Sequence, residues 1–159
     1  MLICDFGYAA KYGSTIGLEL FKEDNVKNLV SLLNDAQFNA LAEWPTSSGG
    51  GSLGNELLIT QIIRLLQIPF SSNIITNESE RVASFRLLKD CNVVDSVLNS
   101  IGYLNLEKIN LVFSLLAKLI NAGEIEKDIC HQFYQASGLQ IIKKYKLLNS
   151  DSSTILADV

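Results

Sequence analysis

The segment ASGLQIIKKYKLLNSD, residues 136–151, contains the apolar pattern that decides the fold of this chain. After Gly138, apolar residues recur at every third or fourth position, which is the spacing of one face of an amphipathic helix. The pattern closes on Leu147-Leu148-Asn149 and then begins again toward the C-terminus. A short helix that ends and is followed by another predicts a stack of helices.

A shift of 44 residues places this segment on an earlier part of the chain. Val97-Leu98 then coincide with Ile141-Ile142, and Leu104-Asn105 coincide with Leu148-Asn149. Leu32-Leu33-Asn34 provides a third and more degenerate copy. A period of roughly 40 to 47 residues built from helices alone is typical of HEAT and armadillo arrays, in which each unit buries its apolar face against the next.

Helical spacing continues through most of the remaining sequence, and no segment shows the regular alternation of a strand. Four residues stand directly before apolar helical stripes and are predicted N-caps. They are Asp24, Asp35, Asn77 and Asn105. Because every stripe has the helical period, the sequence predicts an all-α protein.

Two further features predict how the helices end and pack. The helix predicted to begin at Asn55 is apolar on most sides, including Leu57, so it is predicted to be buried on several faces. Gly102 and Gly138 each follow a helical pattern, and we expect them at matching corners of the repeat.

The order of these elements resembles the armadillo family. In that family a first helix ends in glycine, a second closes on Leu-Leu and a polar turn, and a long third helix follows. Residues 121–138, residues 139–149 and the residues from 152 onward show this order. Leu115–Leu119 corresponds to the third-helix motif of the preceding repeat.

The resemblance covers residues 77–159 well and residues 24–68 loosely. It implies an armadillo-like, right-handed α-solenoid fragment of about three degenerate repeats. It also implies that the third helices line a groove for extended peptides. In importin-like and catenin-like members an asparagine of the third helix binds the peptide backbone, whereas this chain has Lys118 at that position.

Residues 45–54 separate two helical portions of the sequence. They read PTSSGGGSLG, which lacks an apolar period and has the composition of a flexible linker. We therefore predict a helical repeat portion in residues 1–44, a flexible Gly/Ser linker in residues 45–54, and helical repeats in residues 55–159 that are truncated at the C-terminus. The linker is interpreted as an engineered or shortened loop; a natural Gly/Ser loop and the fusion of residues 1–44 from another chain are the alternatives.

Charge, cysteine content and apolar runs exclude several classes of protein. A net charge of −4 over 159 residues argues against nucleic acid as a partner. Cys4, Cys91 and Cys130 are widely spaced and odd in number, which predicts neither disulfides nor a zinc site and favours a cytoplasmic or nuclear location. The longest apolar run, residues 111–120, is too short for a membrane span.

The sequence lacks the residues that common catalytic sites need. Asp5-Phe6-Gly7 copies the metal-binding triplet of protein kinases, but the glycine-rich loop, strand lysine and His-Arg-Asp loop that complete it are missing. His131 is the single histidine, and its neighbour Cys130 would point about 100° away on a helix. We therefore expect no enzyme, no cofactor and no metal site.

Two predicted long helices, residues 55–68 and residues 105–122, carry polar side chains at equivalent positions when the first is shifted by 54 residues. The pairs are Thr60 with Ser114, Arg64 with Lys118, and Gln67 with Asn121. Each trio lies on one helix face, and its central cation would pair with carboxylates or main-chain carbonyls of a partner. The alternative is that both stripes are simply the solvated sides of their helices.

Lys143, Lys144 and Lys146 form a second candidate patch, with Tyr145 between them on the opposite face; the alternative is a solvated, charged side of the helix. The predicted function is a non-catalytic protein–protein interaction scaffold or regulatory helical-repeat domain of a larger signalling or trafficking protein. The expected partner is a protein with an acidic or extended segment, and self-association is predicted through Ile155 and Leu156 at the truncated end. Two alternatives stay open: an accessory helical layer of an enzyme with its active site elsewhere, and a compact helical-bundle adaptor.

Overall fold

A computed structural model describes residues 19–71 and 73–146, and in these residues the chain has eight α-helices and no strand. The predicted all-α class is therefore confirmed. The helices are α1 Glu23–Ser31, α2 Asp35–Ala42, α3 Gly51–Leu66, α4 Glu78–Asp90, α5 Val93–Ser100, α6 Leu106–Ile120, α7 Glu126–Gln135 and α8 Gly138–Lys146. Short 3-10 helices lie at Thr46–Ser48, Ile68–Phe70, Ile101–Tyr103 and Gly123–Ile125.

Several sequence predictions concern residues outside these ranges. They are Cys4, Asp5-Phe6-Gly7, Leu147-Leu148-Asn149, the helix expected from residue 152, and Ile155 with Leu156. The correspondence at 44 residues can be followed inside the described ranges, because Val97-Leu98 lies in α5 and Ile141-Ile142 lies in α8. Leu98 and Ile142, which coincide in that correspondence, are both buried.

Asparagine side chains cap three of the described helices. Asn77 and Asn105, both predicted caps, accept hydrogen bonds from main-chain N–H groups in the first turns of α4 and α6. In α2 the cap is Asn34, and the predicted cap Asp35 is the first helical residue. Asp24 lies within the first turn of α1, where its carboxylate is near the positive end of the helix dipole.

The structure differs from the predicted flexible linker in residues 45–54. A 3-10 turn at Thr46–Ser48 ends at Gly49, and α3 begins at Gly51, four residues before the predicted start at Asn55. The first turn of this helix was missed because glycine is a poor helix former and contributes no side chain to an apolar stripe.

Close backbone packing accounts for two of the glycines in this segment. Gly50 is buried, and a Cβ atom there would lie under 3.0 Å from main-chain and Cβ atoms of Trp44. A Cβ atom on Gly54 would lie under 3.0 Å from the carbonyl oxygen of Gly49. Asn55 then donates a hydrogen bond from Nδ2 to the carbonyl oxygen of Phe38 at 3.0 Å. The start of α3 is therefore packed against α2.

Each of the eight described helices contributes to one cluster of buried apolar side chains. The two longest helices, α3 and α6, contribute eleven of its buried apolar side chains between them. Their buried apolar residues are Ile59, Ile62, Ile63 and Leu66 in α3, and Ile109, Val112, Phe113, Leu115, Leu116, Leu119 and Ile120 in α6. These residues follow the helical period, so burial of one continuous face holds each helix in the core.

Helices α3 and α6 lie side by side and run in the same direction. Near their N-termini, Asn105 Nδ2 donates a hydrogen bond to Glu56 Oε1. Near their C-termini, Lys118 Nζ donates to Gln67 Oε1 at 2.9 Å. Contact of start with start and end with end requires a parallel arrangement. Around this pair, α1 packs on α3, α4 and α5, α2 packs on α3, and α7 packs on α5, α6 and α8.

Tyr103 connects α2 to the turn between α5 and α6. Its ring centroid lies 4.3 Å from that of Phe38, and its phenol donates a hydrogen bond to Asp35 Oδ1 at 2.9 Å. This hydrogen bond to a carboxylate raises the pKa of Tyr103 above the ordinary tyrosine value. The hydrogen bond therefore stabilises the fold at neutral pH and is lost as the pH rises through the raised pKa.

Two of the corners between helices hold a non-glycine residue with a positive φ. Asn92 between α4 and α5 and Ser137 between α7 and α8 both have a positive φ, 51° and 56°. Gly102 lies in the 3-10 turn after α5, whereas Gly138 is the first residue of α8, so these glycines occupy different corners and the predicted match is wrong. Gly138 instead lies against the ring of Phe133, where a Cβ atom would clash.

Among the described residues, no helix is long and apolar enough to cross a membrane.

Candidate functional site

The exposed face of α3 carries two leucines followed by polar residues. Leu53 and Leu57 are 71% and 61% exposed, and Gln61 and Arg64 are exposed on the same stripe. Leu57 was predicted to be a buried residue, and Leu53 and Gln61 were not predicted as site residues. The sequence offers no signal for them, because α3 is apolar on most sides and its packing against α2 and α6 decides which leucines stay in solvent.

Thr60 does not belong to the exposed stripe. It is only 3% exposed, and its Oγ1 has no hydrogen-bond partner among the described residues. The predicted trio on α3 is therefore corrected: Arg64 is exposed, Gln67 is half-buried, and Thr60 is in the core. Threonine carries both a hydroxyl and a methyl group, so it is compatible with the core and with the exposed face of a helix. The residue type alone therefore does not predict whether Thr60 is buried.

The predicted trio on α6 lies on one face of the helix. Ser114 is half-buried, while Lys118 and Asn121 are exposed. Asn121 is the C-cap of α6, and its Nδ2 donates a hydrogen bond to the carbonyl oxygen of Ala117 at 2.9 Å. Gln67 is the C-cap of α3, so the 54-residue correspondence also relates the ends of the two helices.

A hydrogen-bonded bridge joins the C-terminal end of α3 to α6. Gln67 Oε1 accepts from Lys118 Nζ at 2.9 Å, and Gln67 Nε2 donates to the carbonyl oxygen of Leu111 at 3.4 Å. The Gln67 amide therefore contacts α6 through both of its ends. This contact orients the lysine ammonium beside α3 and leaves it with further donors for a ligand.

Arg64 and Lys118 have no carboxylate within ion-pair distance among the described residues. Some other cations in these ranges do have one: Lys22 with Glu19, Lys27 with Glu23, Arg81 with Glu78, and Lys89 with Asp90 and Asp128. Among the described residues Lys108, Lys127, Lys143 and Lys144 also lack one, so what distinguishes Arg64 and Lys118 is their position on neighbouring parallel helices. Both lie in the last turns of their helices, where they also face the negative ends of the helix dipoles. We call Leu53, Leu57, Gln61, Arg64, Ser114 and Lys118 the α3–α6 surface.

Lys143 and Lys144 lie apart from this surface, on α8. Both are exposed, and Lys144 Nζ lies 5.9 Å from the centroid of the half-buried Tyr145 ring. Helix α8 packs against α7. The second predicted patch is therefore on a different helix from the residues of the α3–α6 surface.

The cysteines and the histidine do not belong to a metal-binding cluster in the part of the chain that the structure describes. No group of three His, Cys, Asp or Glu residues there lies close enough to hold a metal ion. Cys91 is half-buried, and this burial raises the pKa of its thiol, which lowers the fraction of reactive thiolate. Cys130 and His131 are both exposed on α7.

Comparison of the chain with models of protein families, with curated proteins and with solved structures finds no match.

Proposed function

We propose that this chain is an armadillo-like, right-handed α-solenoid of about three degenerate repeats. The order of helix lengths supports this arrangement: helices of 9, 8 and 16 residues are followed by helices of 13, 8 and 15, and then by helices of 10 and 9. The long helices, α3 and α6, are third in each group and lie parallel, as stacked units would place them.

Small-angle X-ray scattering tests the solenoid. A compact bundle of this length should have a radius of gyration of about 15 Å and a symmetric distance distribution. We expect a larger radius and a distribution with a long tail, because stacked units extend in one direction. A Kratky plot that returns to its baseline would show that the larger radius comes from an elongated folded particle and not from unfolded chain. A radius near the compact value would favour the helical-bundle alternative.

The function that we propose is protein binding by a non-catalytic scaffold or regulatory domain, with the α3–α6 surface as the binding site. One observation supports it most: Arg64 and Lys118 are exposed on neighbouring parallel helices without a carboxylate partner among the described residues. Arginine and lysine form strong, charge-assisted hydrogen bonds with carboxylates and also donate to main-chain carbonyls, and Lys118 is oriented by Gln67. An acidic or extended segment of a protein is therefore the proposed ligand.

A charge reversal tests this function. Random linear peptides displayed on phage are selected against the whole chain, and the enriched peptides are synthesised for affinity measurements. We expect the double variant Arg64→Glu, Lys118→Glu to lose about tenfold or more in affinity, because two charge-assisted contacts become repulsive. Circular dichroism checks that helicity is unchanged.

The matched control is the double variant Lys143→Glu, Lys144→Glu, which changes the net charge by the same amount on a different helix. We expect it to bind the enriched peptides as the unmodified chain does. If the α8 variant loses affinity while the α3–α6 variant keeps it, the binding site has been assigned to the wrong surface.

A further inference from the structure

The α3–α6 surface is apolar at one end and basic at the other. Leu53, Leu57 and Arg64 fall within about 40° of each other around α3, because an α-helix turns through about 100° per residue. They therefore form one line along the helix, with both leucines toward its N-terminus and the cation in its last turn. Lys118 stands beside the basic end, held by Gln67.

Exposure of the two leucines is the feature that charge alone does not explain. Leucine side chains are usually buried, and Leu53 and Leu57, four residues apart on one exposed stripe of α3, leave apolar surface in contact with water. The favourable interaction with the helix dipoles accounts for the positions of Arg64 and Lys118 in the last turns of α3 and α6. It does not account for the exposure of Leu53 and Leu57, and this exposure points to a ligand that covers them.

We propose that the partner segment is bipartite, with apolar side chains that cover Leu53 and Leu57 and a carboxylate that pairs with Arg64 and Lys118. This inference rests on the proposed function, because it assumes that the α3–α6 surface binds protein. It adds the composition of the ligand and the relative positions of its two parts. Apolar contact supplies affinity, and the charge pairing fixes the register of the segment on the surface.

The length of α3 sets the spacing within that segment. Leu57 and Arg64 are about 10 Å apart along the helix axis, and Leu53 and Arg64 are about 16 Å apart, at about 1.5 Å per residue. An extended segment advances about 3.3 Å per residue, so its carboxylate should stand about three to five residues from its apolar pair. A segment with this spacing would reach both ends of the surface at once.

A short segment fits this surface better than a second copy of the chain does. The α3–α6 surface comprises six residues, whereas a stable protein–protein interface uses about 20–30 residues of each partner. Continuity of the apolar and basic parts along one line also matches a linear ligand.

The experiment uses the phage selection of random linear peptides against the whole chain. We expect enriched peptides to contain two apolar residues with Asp or Glu about three to five residues away. The variant Leu53→Ser, Leu57→Ser should weaken these peptides by about tenfold or more. The variant Arg64→Gln, Lys118→Gln should weaken them and remove the salt dependence of binding. The control Lys143→Gln, Lys144→Gln should change neither.

The outcomes separate this inference from the proposed function. If peptides bind the α3–α6 surface but lack either the apolar pair or the acidic residue, the bipartite ligand is wrong and the binding site stands. If no enriched peptide depends on Arg64 and Lys118, or none is enriched, both proposals fail. A dimer in sedimentation equilibrium that the serine variant abolishes would overturn the inference in favour of a second copy. The serine changes are at exposed positions, so loss of helicity in that variant is not expected.

Discussion

Replacement of Leu115 by alanine is expected to lower the free energy of unfolding by about 2–5 kcal/mol. Leu115 is 0% exposed, lies in the middle of α6, and belongs to the cluster that all the described helices share. Alanine removes apolar surface from the core and leaves a cavity, because close-packed neighbours relax only in part. Urea unfolding followed by circular dichroism should show a lower midpoint with an unchanged slope.

The matched control is Leu57→Ala on α3. The chemical change is the same, but Leu57 is on the exposed stripe, where surface substitutions usually change stability by less than about 0.5 kcal/mol. Alanine is also a slightly better helix former than leucine. Equal effects of the two substitutions would contradict the packing of α6 in the core and the exposure of the α3–α6 surface.

Some helices of the fold could be predicted from residues that are close together in the sequence. Helix α6 was predicted from its Asn105 cap and its apolar period, and both are properties of nearby residues. The same holds for α4 after Asn77. The 54-residue correspondence between α3 and α6 relates Gln67 to Asn121, and these residues are the C-caps of the two helices.

The candidate site could be predicted only in part, because burial on an apolar helix depends on which neighbours cover it. Arg64 and Lys118 are long and charged, so their exposure follows from residue type. Thr60 and Leu57 were assigned to the wrong sides of α3, since residue type says little about the side that faces α6. The bridge from Lys118 to Gln67 joins residues far apart in sequence and becomes visible only in three dimensions.

Glycine packing at the start of α3 is the other feature that local patterns could not show. A run of glycine and serine has the same composition whether it is a flexible tether or a close approach of two backbone segments. Burial of Gly50 and Gly54 distinguishes the two, and burial is set by Trp44 and Gly49 in the folded chain. The origin of this segment, engineered or natural, stays a prediction.

Gly54→Ala should therefore destabilise the protein by about 1–3 kcal/mol, although alanine is favoured over glycine inside a helix by about 1 kcal/mol. Its Cβ atom would lie under 3.0 Å from the carbonyl oxygen of Gly49, so the backbone before α3 has to move. The control is Gly102→Ala, where a Cβ atom meets nothing within 4 Å and the backbone needs no positive φ. Thermal unfolding should show a lower Tm for the first variant and an equal or higher Tm for the second, because alanine reduces the entropy of the unfolded chain. A flexible linker at residues 45–54 would instead tolerate alanine at residue 54, so an unchanged Tm in Gly54→Ala would contradict the ordered start of α3.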